Sequence, residues 1–152
     1  MIILGLDPGI ARTGYGVVDT SKKDVFMQCG CITTSSIYPL EERLLIIAND
    51  LEEIITTFRP DVAVVEEVFF GNNKKTAMKT AQTRGVLLYK LASHHISVQT
   101  LTPLQIKSRL TGYGSASKQQ MQRAVTQQLH LSAIPKPDDA ADALAAALCA
   151  TL

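Results

Sequence analysis

Two short, uninterrupted apolar runs each end at a carboxylate, and this pattern strongly limits how the chain can fold. Residues 2–6 are followed by Asp7, and residues 62–65 are followed by Glu66. Continuous apolar runs of this length, bounded by turn residues, are typical of strands buried on both faces, as in sheets covered by helices on both sides. Sites in open α/β sheets lie at the carboxyl ends of such strands. If the two strands are neighbours, Asp7 and Glu66 converge at one edge of the sheet.

The remaining pattern predicts a mixed α/β domain. Two segments rich in β-branched and aromatic residues indicate a hairpin directly after the first strand. The order of elements resembles the ribonuclease H-like fold: a five-stranded mixed sheet, with an antiparallel hairpin plus parallel strands and helices on both faces. We expect residues 1–152 to form one such domain. The predicted elements are strands over 2–6, 13–19 and 25–33, a helix over 39–58, a strand over 62–65, a helix over 73–94, a strand over 96–101, and helices starting near 102, over 118–129 and from 139.

Charge is unevenly distributed along the sequence. The formal net charge is only +1, yet residues 68–137 contain ten of the fifteen Lys and Arg residues and no Asp or Glu. Phosphate contacts depend on local potential, so this tract predicts a surface for a polyanion. For any single lysine, the alternative to binding a polyanion is that its side chain simply lies on a solvated helix face. The basic residues of the tract are Lys74, Lys75, Lys79, Arg84, Lys90, Lys107, Arg109, Lys118, Arg123 and Lys136.

A second pair of carboxylates lies near the end of the sequence, on a helix that is otherwise apolar. Asp139 and Asp142 are three residues apart and therefore share one helix face. An unpaired charge on a buried face costs several kcal/mol, so Asp142 needs a partner of opposite charge. We expect that partner to be a metal ion rather than a distant lysine. Asp138, which follows Pro137, is expected to cap the helix.

Four segments of the chain resemble RuvC-type Holliday-junction endonucleases. They are residues 5–9 with 13–16, residues 66–70, residues 112–116 with Lys118, and residues 139–145, and together they cover essentially the whole chain in order. The resemblance implies four metal-binding catalytic carboxylates, and the segments that follow each acidic doublet favour Glu66 over Glu67 and Asp139 over Asp138. The implied set is Asp7, Glu66, Asp139 and Asp142.

The resemblance also implies roles in DNA binding. Phe69 matches an aromatic residue that family members place near the exchange point of the junction. Lys107 and Lys118 match basic residues that contact or stabilise phosphate at the active site, and Lys118 is counted among the catalytic residues. The basic tract and the glycine-rich loop add weaker candidates for DNA contact: Lys74, Lys75, Lys79, Arg84 and Tyr113.

The activity implied by the resemblance is resolution of four-way DNA junctions in recombination and repair, by paired nicks that leave 5′-phosphate and 3′-hydroxyl ends. Carboxylates without a His or Cys cluster suit two Mg²⁺ ions, with Mn²⁺ as a substitute. We expect Asp7 to bridge both ions, with Glu66 on one side and the two helix aspartates on the other.

The implied assembly is a homodimer, because a symmetric junction offers two equivalent strands. Residues 82, 85, 86 and 89 form a stripe that could serve as a dimer contact or could pack on the sheet. A branch-migration complex of the RuvA and RuvB type is the implied partner.

Three other functions remain open from the sequence. The first motif also resembles the first phosphate loop of actin-like ATPases and sugar kinases, although 152 residues are too few for two such domains. A module that only binds branched nucleic acid would explain the basic tract but not Asp142. A related nuclease could act on RNA or another branched substrate. The lack of a signal-peptide pattern, of an apolar stretch near ~20 residues and of a disulfide pattern predicts a cytoplasmic protein.

Overall fold

The predicted order of strands and helices is present in the structure. A computed structural model describes residues 1–68 and 74–150, except for the side chains of Lys74 and Lys75. Most observed boundaries lie within one or two residues of the expected ones. The elements are β1 (Ile2–Asp7), β2 (Arg12–Asp19), β3 (Phe26–Thr33), α1 (Leu40–Phe58), β4 (Val62–Glu66), α2 (Lys74–Ser93), β5 (Ser97–Leu101), α3 (Pro103–Thr111), α4 (Lys118–Gln128) and α5 (Asp138–Cys149).

The five strands form one mixed sheet in the order β3-β2-β1-β4-β5. β2 is antiparallel to both β1 and β3, whereas β1–β4 and β4–β5 are parallel pairs. The register pairs Leu6 with Val65. The next residues, Asp7 and Glu66, therefore stand side by side where the two strands end, as the sequence predicted.

Helices cover both faces of the sheet, which explains why the central strands are apolar at every position. On one face, Leu4 and Leu6 pack with Ile47 of α1 and Leu87 of α2. On the other, Ile3 belongs to the layer formed with α3, α4 and α5. Within the part of the chain that the structure describes, no helix is both long and apolar enough to cross a membrane.

Helix α5 lies directly on β1 and β2 because glycines face it. A Cβ added to Gly5 would collide with the backbone of Ala143 and Ala147, and one added to Gly14 would collide with the backbone of Asp139. The helix side of this contact is rich in alanine, so the two backbones approach closely. This packing fixes the first two turns of α5, and thereby Asp139 and Asp142, beside the end of β1.

Gly5→Ala should therefore destabilise the protein by about 1–3 kcal/mol, because the new methyl must displace α5. Urea denaturation monitored by circular dichroism would measure the change. The matched control is Gly85→Ala in α2, where an added methyl meets no atom within 4 Å. Replacing a helical glycine there should be neutral or stabilise by roughly 0.5–1 kcal/mol. A Gly5→Ala protein as stable as the unmodified chain would contradict the close contact of α5.

Candidate active site

A pocket of about 210 Å³ opens where β1 and β4 end. Its acidic side chains come from three elements: the last residues of the two strands and the second turn of α5. Basic side chains of α3 and α4 line the same pocket, and apolar residues complete its wall. The lining residues are Asp7, Glu66, Asp142, Lys107, Lys118, Pro103, Ile106 and Met121.

The carboxylates of this pocket raise one another's pKa. Burial raises the pKa of Asp7 to about 8, with further contributions from the charges of Glu66, Asp142 and Asp139, in that order. Burial, and then the charge of Asp142, raise the pKa of Glu66 to about 7. Burial also raises the pKa of Asp142, although Lys118 acts in the opposite direction. The cluster holds more negative charge than its own lysines neutralise, so it favours a bound cation.

Lys118, the first residue of α4, supplies the cation nearest to the cluster. Its Nζ lies 3.1 Å from Oδ2 of Asp142 and 3.3 Å from Oδ2 of Asp138. Burial lowers the pKa of Lys118, but the hydrogen bond to Asp142 and the other acidic contacts outweigh burial and leave the pKa raised. The sequence favoured a metal ion over a distant lysine as the partner of Asp142, and the structure places Lys118 in contact with this carboxylate. A capping box at Ser117 starts α4 where its first side chain reaches the start of α5.

Asp138 does not cap α5, which corrects a second expectation. Pro137 occupies the N-cap position and makes no side-chain capping hydrogen bond, so Asp138 is the first helical residue. Its carboxylate instead accepts a hydrogen bond from Nε2 of Gln122 at 3.1 Å and pairs with Lys118. Asp138 thus holds Lys118 from the solvent side.

Asp139 stands at the margin of the cluster and is not among the side chains that line the pocket. Its charge still raises the pKa of Asp7, so the two carboxylates interact. Its Oδ2 lies 3.8 Å from Nη1 of Arg12. Burial raises the pKa of the nearby Cys31 thiol to about 11, and a hydrogen bond between this thiol and Asp139 contributes.

The sequence predictions missed Arg12 and Cys31 as neighbours of the acidic cluster. The sheet register aligns Asp7 with Gly14 and Gly14 with Cys31, so these three residues form one row across β1, β2 and β3. Gly14 lacks a side chain, which leaves room for Asp139 above the row. These residues are visible in the hairpin sequence, but predicting that they lie beside the acidic cluster requires the strand register.

The residues at the pocket fit a hard divalent cation in charge and donor chemistry. All the acidic donors are carboxylate oxygens, which Mg²⁺ prefers, and a bound cation would relieve the repulsion between Asp7 and Glu66. Among residues 1–68 and 74–150, no three His, Cys, Asp or Glu side chains are arranged to enclose a metal ion as they stand. Binding of a metal ion at this pocket would therefore involve movement of the carboxylate side chains.

The other predicted DNA-binding residues have different environments. Tyr113 is exposed, and its Oη accepts a hydrogen bond from Gln120. Nη2 of Arg84 donates to Oγ1 of Thr100, while its buried Nε has no hydrogen-bond partner in the described part of the chain. Lys79 is half-buried on α2. Phe69 and the side chains of Lys74 and Lys75 lie outside the described residues.

Two cations of the basic tract make contacts within the chain. Nζ of Lys90 lies 2.7 Å from Oε2 of Glu52 and joins α2 to α1. Arg109 donates a hydrogen bond to the carbonyl oxygen of Cys149. These two cations serve internal contacts, so the surface available to a polyanion is narrower than the sequence suggested.

The stripe on α2 does not pack on the sheet. Tyr89 is 72% exposed, and Gln82 and Gly85 are exposed as well. Leu87 and Leu91 form the buried face of the helix instead. The outward stripe is thus exposed at Gln82, Gly85 and Tyr89, whereas Val86 is half-buried.

The sheet order, the two helical layers and the carboxylates at the strand ends define an α/β protein of the ribonuclease H-like class. The family model for crossover junction endodeoxyribonuclease RuvC matches residues 3–150. The RuvC protein of Roseiflexus sp. (strain RS-1) is 48% identical over 149 residues, which cover 97% of this chain and 89% of the relative. That of Caldicellulosiruptor saccharolyticus is 46% identical over 151 residues, which cover 98% and 91%. The chain belongs to the RuvC family of crossover junction endodeoxyribonucleases.

Solved structures agree with this assignment. Thermus thermophilus RuvC in complex with a Holliday junction substrate superimposes with a TM-score of 0.92 at 33% identity, covering 98% of this chain and 92% of that one. The yeast mitochondrial Holliday junction resolvase Ydc2 gives a TM-score of 0.69 at 16% identity, covering 97% and 76%, and shares the fold.

Proposed function

We propose that the chain is a homodimeric, Mg²⁺-dependent endonuclease that resolves four-way DNA junctions by paired, symmetric nicks with 5′-phosphate and 3′-hydroxyl ends. One observation carries this proposal: carboxylates from β1, β4 and α5 meet in one pocket together with Lys107 and Lys118. Membership of a family of divalent-metal-dependent deoxyribonucleases supports it. The same membership favours a nuclease over the phosphate-loop ATPases and over a module that only binds DNA.

In this proposal, Asp7, Glu66, Asp139 and Asp142 supply the oxygen ligands for two Mg²⁺ ions, with Mn²⁺ as a substitute. Bound divalent ions supply activation of water and stabilisation of the charge that develops on the phosphate and the leaving oxygen. Asp7 is the natural common ligand, because the charges of the other three carboxylates all act on it. Without cations, ionised carboxylates repel a phosphodiester, so bound ions favour entry of the scissile phosphate.

Lys118 and Lys107 act on the substrate from the α3–α4 side of the pocket. Both side chains line it, and the charge of Lys107 lowers the pKa of Glu66, which places Lys107 near the β4 carboxylate. Lys118 also contacts Asp138, so a metal ion that took the oxygens of Asp142 would leave Lys118 with a second partner at the pocket. There its ammonium group can neutralise charge on the attacked phosphate.

Lys118→Met should lower the single-turnover rate of junction cleavage by about 100-fold, because one preorganised cation at the developing charge is lost. Junction binding should change little, since Lys118 is one cation among several. Lys23→Met, in the exposed turn between β2 and β3, is the control for lost charge and should leave both quantities unchanged. Cleavage by the Lys118 variant at the unmodified rate would remove this residue from the mechanism.

The proposed function is tested with a synthetic immobile four-way junction and a linear duplex of the same sequence, each with and without Mg²⁺. The expected result is a pair of symmetric nicks in the junction alone, and only with metal. Equal cutting of the duplex would contradict structure selectivity, and cutting in EDTA would contradict the metal site. Preferential cutting of an RNA-containing substrate would instead support the related nuclease.

The proposed assembly follows from the symmetry of the substrate, because two equivalent strands require two active sites. The exposed stripe of Gln82, Gly85 and Tyr89 is the candidate dimer contact. A branch-migration complex of the RuvA and RuvB type is the proposed partner. Cytoplasmic action on chromosomal DNA is consistent with the three free cysteines, Cys29, Cys31 and Cys149.

A further inference from the structure

Arg12 is a basic residue outside the basic tract that nevertheless stands at the edge of the acidic cluster. It begins β2, and the sheet order places β2 and β4 on opposite sides of β1. Asp7 therefore lies between Arg12 on one side and Glu66, with Lys107 near it, on the other. Cations thus flank the carboxylates from both directions along the sheet edge.

The contact that holds Arg12 is weak. Its Nη1 lies 3.8 Å from Oδ2 of Asp139, and the two side chains are 59% and 30% exposed. An ion pair with this separation and exposure contributes little to stability. The guanidinium group is therefore available to a better anion, and its planar fork of donors matches a phosphate group.

We propose that Arg12 binds a backbone phosphate of the junction next to the scissile one, on the β2 side of the active site. The contact between Arg12 and Asp139 is then replaced by the contact between Arg12 and this phosphate. Arg12 is then a positioning residue: it and Lys107 hold the strand from the two sides of Asp7. The exchange also releases Asp139 from its only ion pair in the described part of the chain. This inference rests on the proposed function, because it assumes that the cleaved strand crosses this edge of the sheet.

Arg12→Gln tests the phosphate contact through the salt dependence of binding. Fluorescence anisotropy would measure junction affinity in EDTA at several salt concentrations. The variant should bind at least about fivefold more weakly near 0.1 M salt, and its plot of log affinity against log salt should be less steep by about two, because each protomer of the proposed dimer loses one phosphate contact. Arg12→Lys should keep the steeper slope, since a phosphate contact survives.

Lys23→Gln is the matched control, because it removes one exposed charge at the opposite edge of the sheet and should change neither quantity. An Arg12→Gln protein with unchanged affinity and salt slope would overturn the proposal. The circular dichroism spectrum should be unchanged, because Arg12 is exposed.

A double-mutant cycle tests the exchange. Asp139→Asn should tighten junction binding in EDTA, because it frees Arg12, and the gain should be smaller when Arg12 is already Gln. Equal gains in both backgrounds would overturn the exchange. The proposed function is rejected if the unmodified chain does not nick the junction in Mg²⁺. If the unmodified chain nicks the junction but the Arg12→Gln variant has an unchanged salt slope, only the role of Arg12 is rejected.

Discussion

Asp7→Asn should reduce junction cleavage by about a thousandfold or more while leaving junction binding intact. Asp7 is buried at the end of β1, and its pKa responds to the charges of Glu66, Asp142 and Asp139. Asparagine keeps the size of the side chain and one oxygen, but it removes the charge around which the other carboxylates gather. In the proposed function, two divalent ions would then no longer be held together, and the chemistry that they supply would be lost. Single-turnover cleavage in Mg²⁺ is the measurement.

Asp24→Asn is the control for this variant. Asp24 is exposed between β2 and β3, far from the pocket, and the same change of charge there should leave cleavage at the unmodified rate. Gel-shift titrations in EDTA should show that Asp7→Asn binds the junction at least as tightly as the unmodified chain, because the substitution adds no charge that repels phosphate. Near-normal Mg²⁺-dependent cutting by a folded Asp7→Asn protein would place catalysis elsewhere.

The metal-free protein should lose several kcal/mol of stability as the pH rises from about 4 to about 8. In the unfolded chain Asp7 and Glu66 ionise near 3.8 and 4.5, whereas in the folded protein their pKa values are about 8 and about 7. Between the unfolded and the folded pKa values, the carboxyl groups have released their protons in the unfolded state but still hold them in the folded state. Raising the pH therefore favours unfolding, and each unit of difference corresponds to about 1.4 kcal/mol. Urea denaturation in EDTA at a series of pH values measures the slope.

Asp19 affects the stability of the protein over a different range of pH. Hydrogen bonds from Ser21 lower the pKa of Asp19 to about 2, so Asp19 contributes stability above its unfolded value and loses it only in acid. Mg²⁺ should restore stability at pH 8, because it binds the ionised carboxylates of the folded state. Asp7→Asn should make the fall of stability with pH less steep. Without metal at pH 8, this variant should be more stable than the unmodified chain, and Mg²⁺ should stabilise it less. A flat profile between pH 5 and 8 for the unmodified chain would contradict the described packing of these carboxylates.

The convergence of Asp7 and Glu66 could be predicted because it depends on features visible in the sequence. Each residue ends a continuous apolar run, and such runs pair in parallel in sheets covered on both faces. Alternation of side chains along a strand explains why the two neighbours differ: Glu66 lines the pocket, whereas Glu67 is exposed and its amide donates to the carbonyl oxygen of Leu101. The fold followed from the same apolar periodicity.

The partners of the carboxylates could not be predicted, because they depend on how separate elements approach one another. Lys118 reaches Asp142 only because the starts of α4 and α5 face each other. Arg12 and Cys31 reach Asp139 only because the hairpin register and Gly14 leave space for α5 above the sheet. Neither the angle between helices nor a strand register is encoded in the spacing of one segment. The roles of Asp139 and Lys118 in catalysis remain predictions.

The position of α5 late in the sequence has a consequence for biosynthesis. Two of the four proposed ligands and much of one apolar layer belong to residues 138–149. A nascent chain still lacking this segment outside the ribosome would leave part of one sheet face uncovered and would lack two of the four proposed ligands. Nuclease activity can therefore arise only after the whole domain has been translated. Incomplete chains should not cleave chromosomal DNA, and their exposed apolar surface should make them substrates of chaperones and proteases.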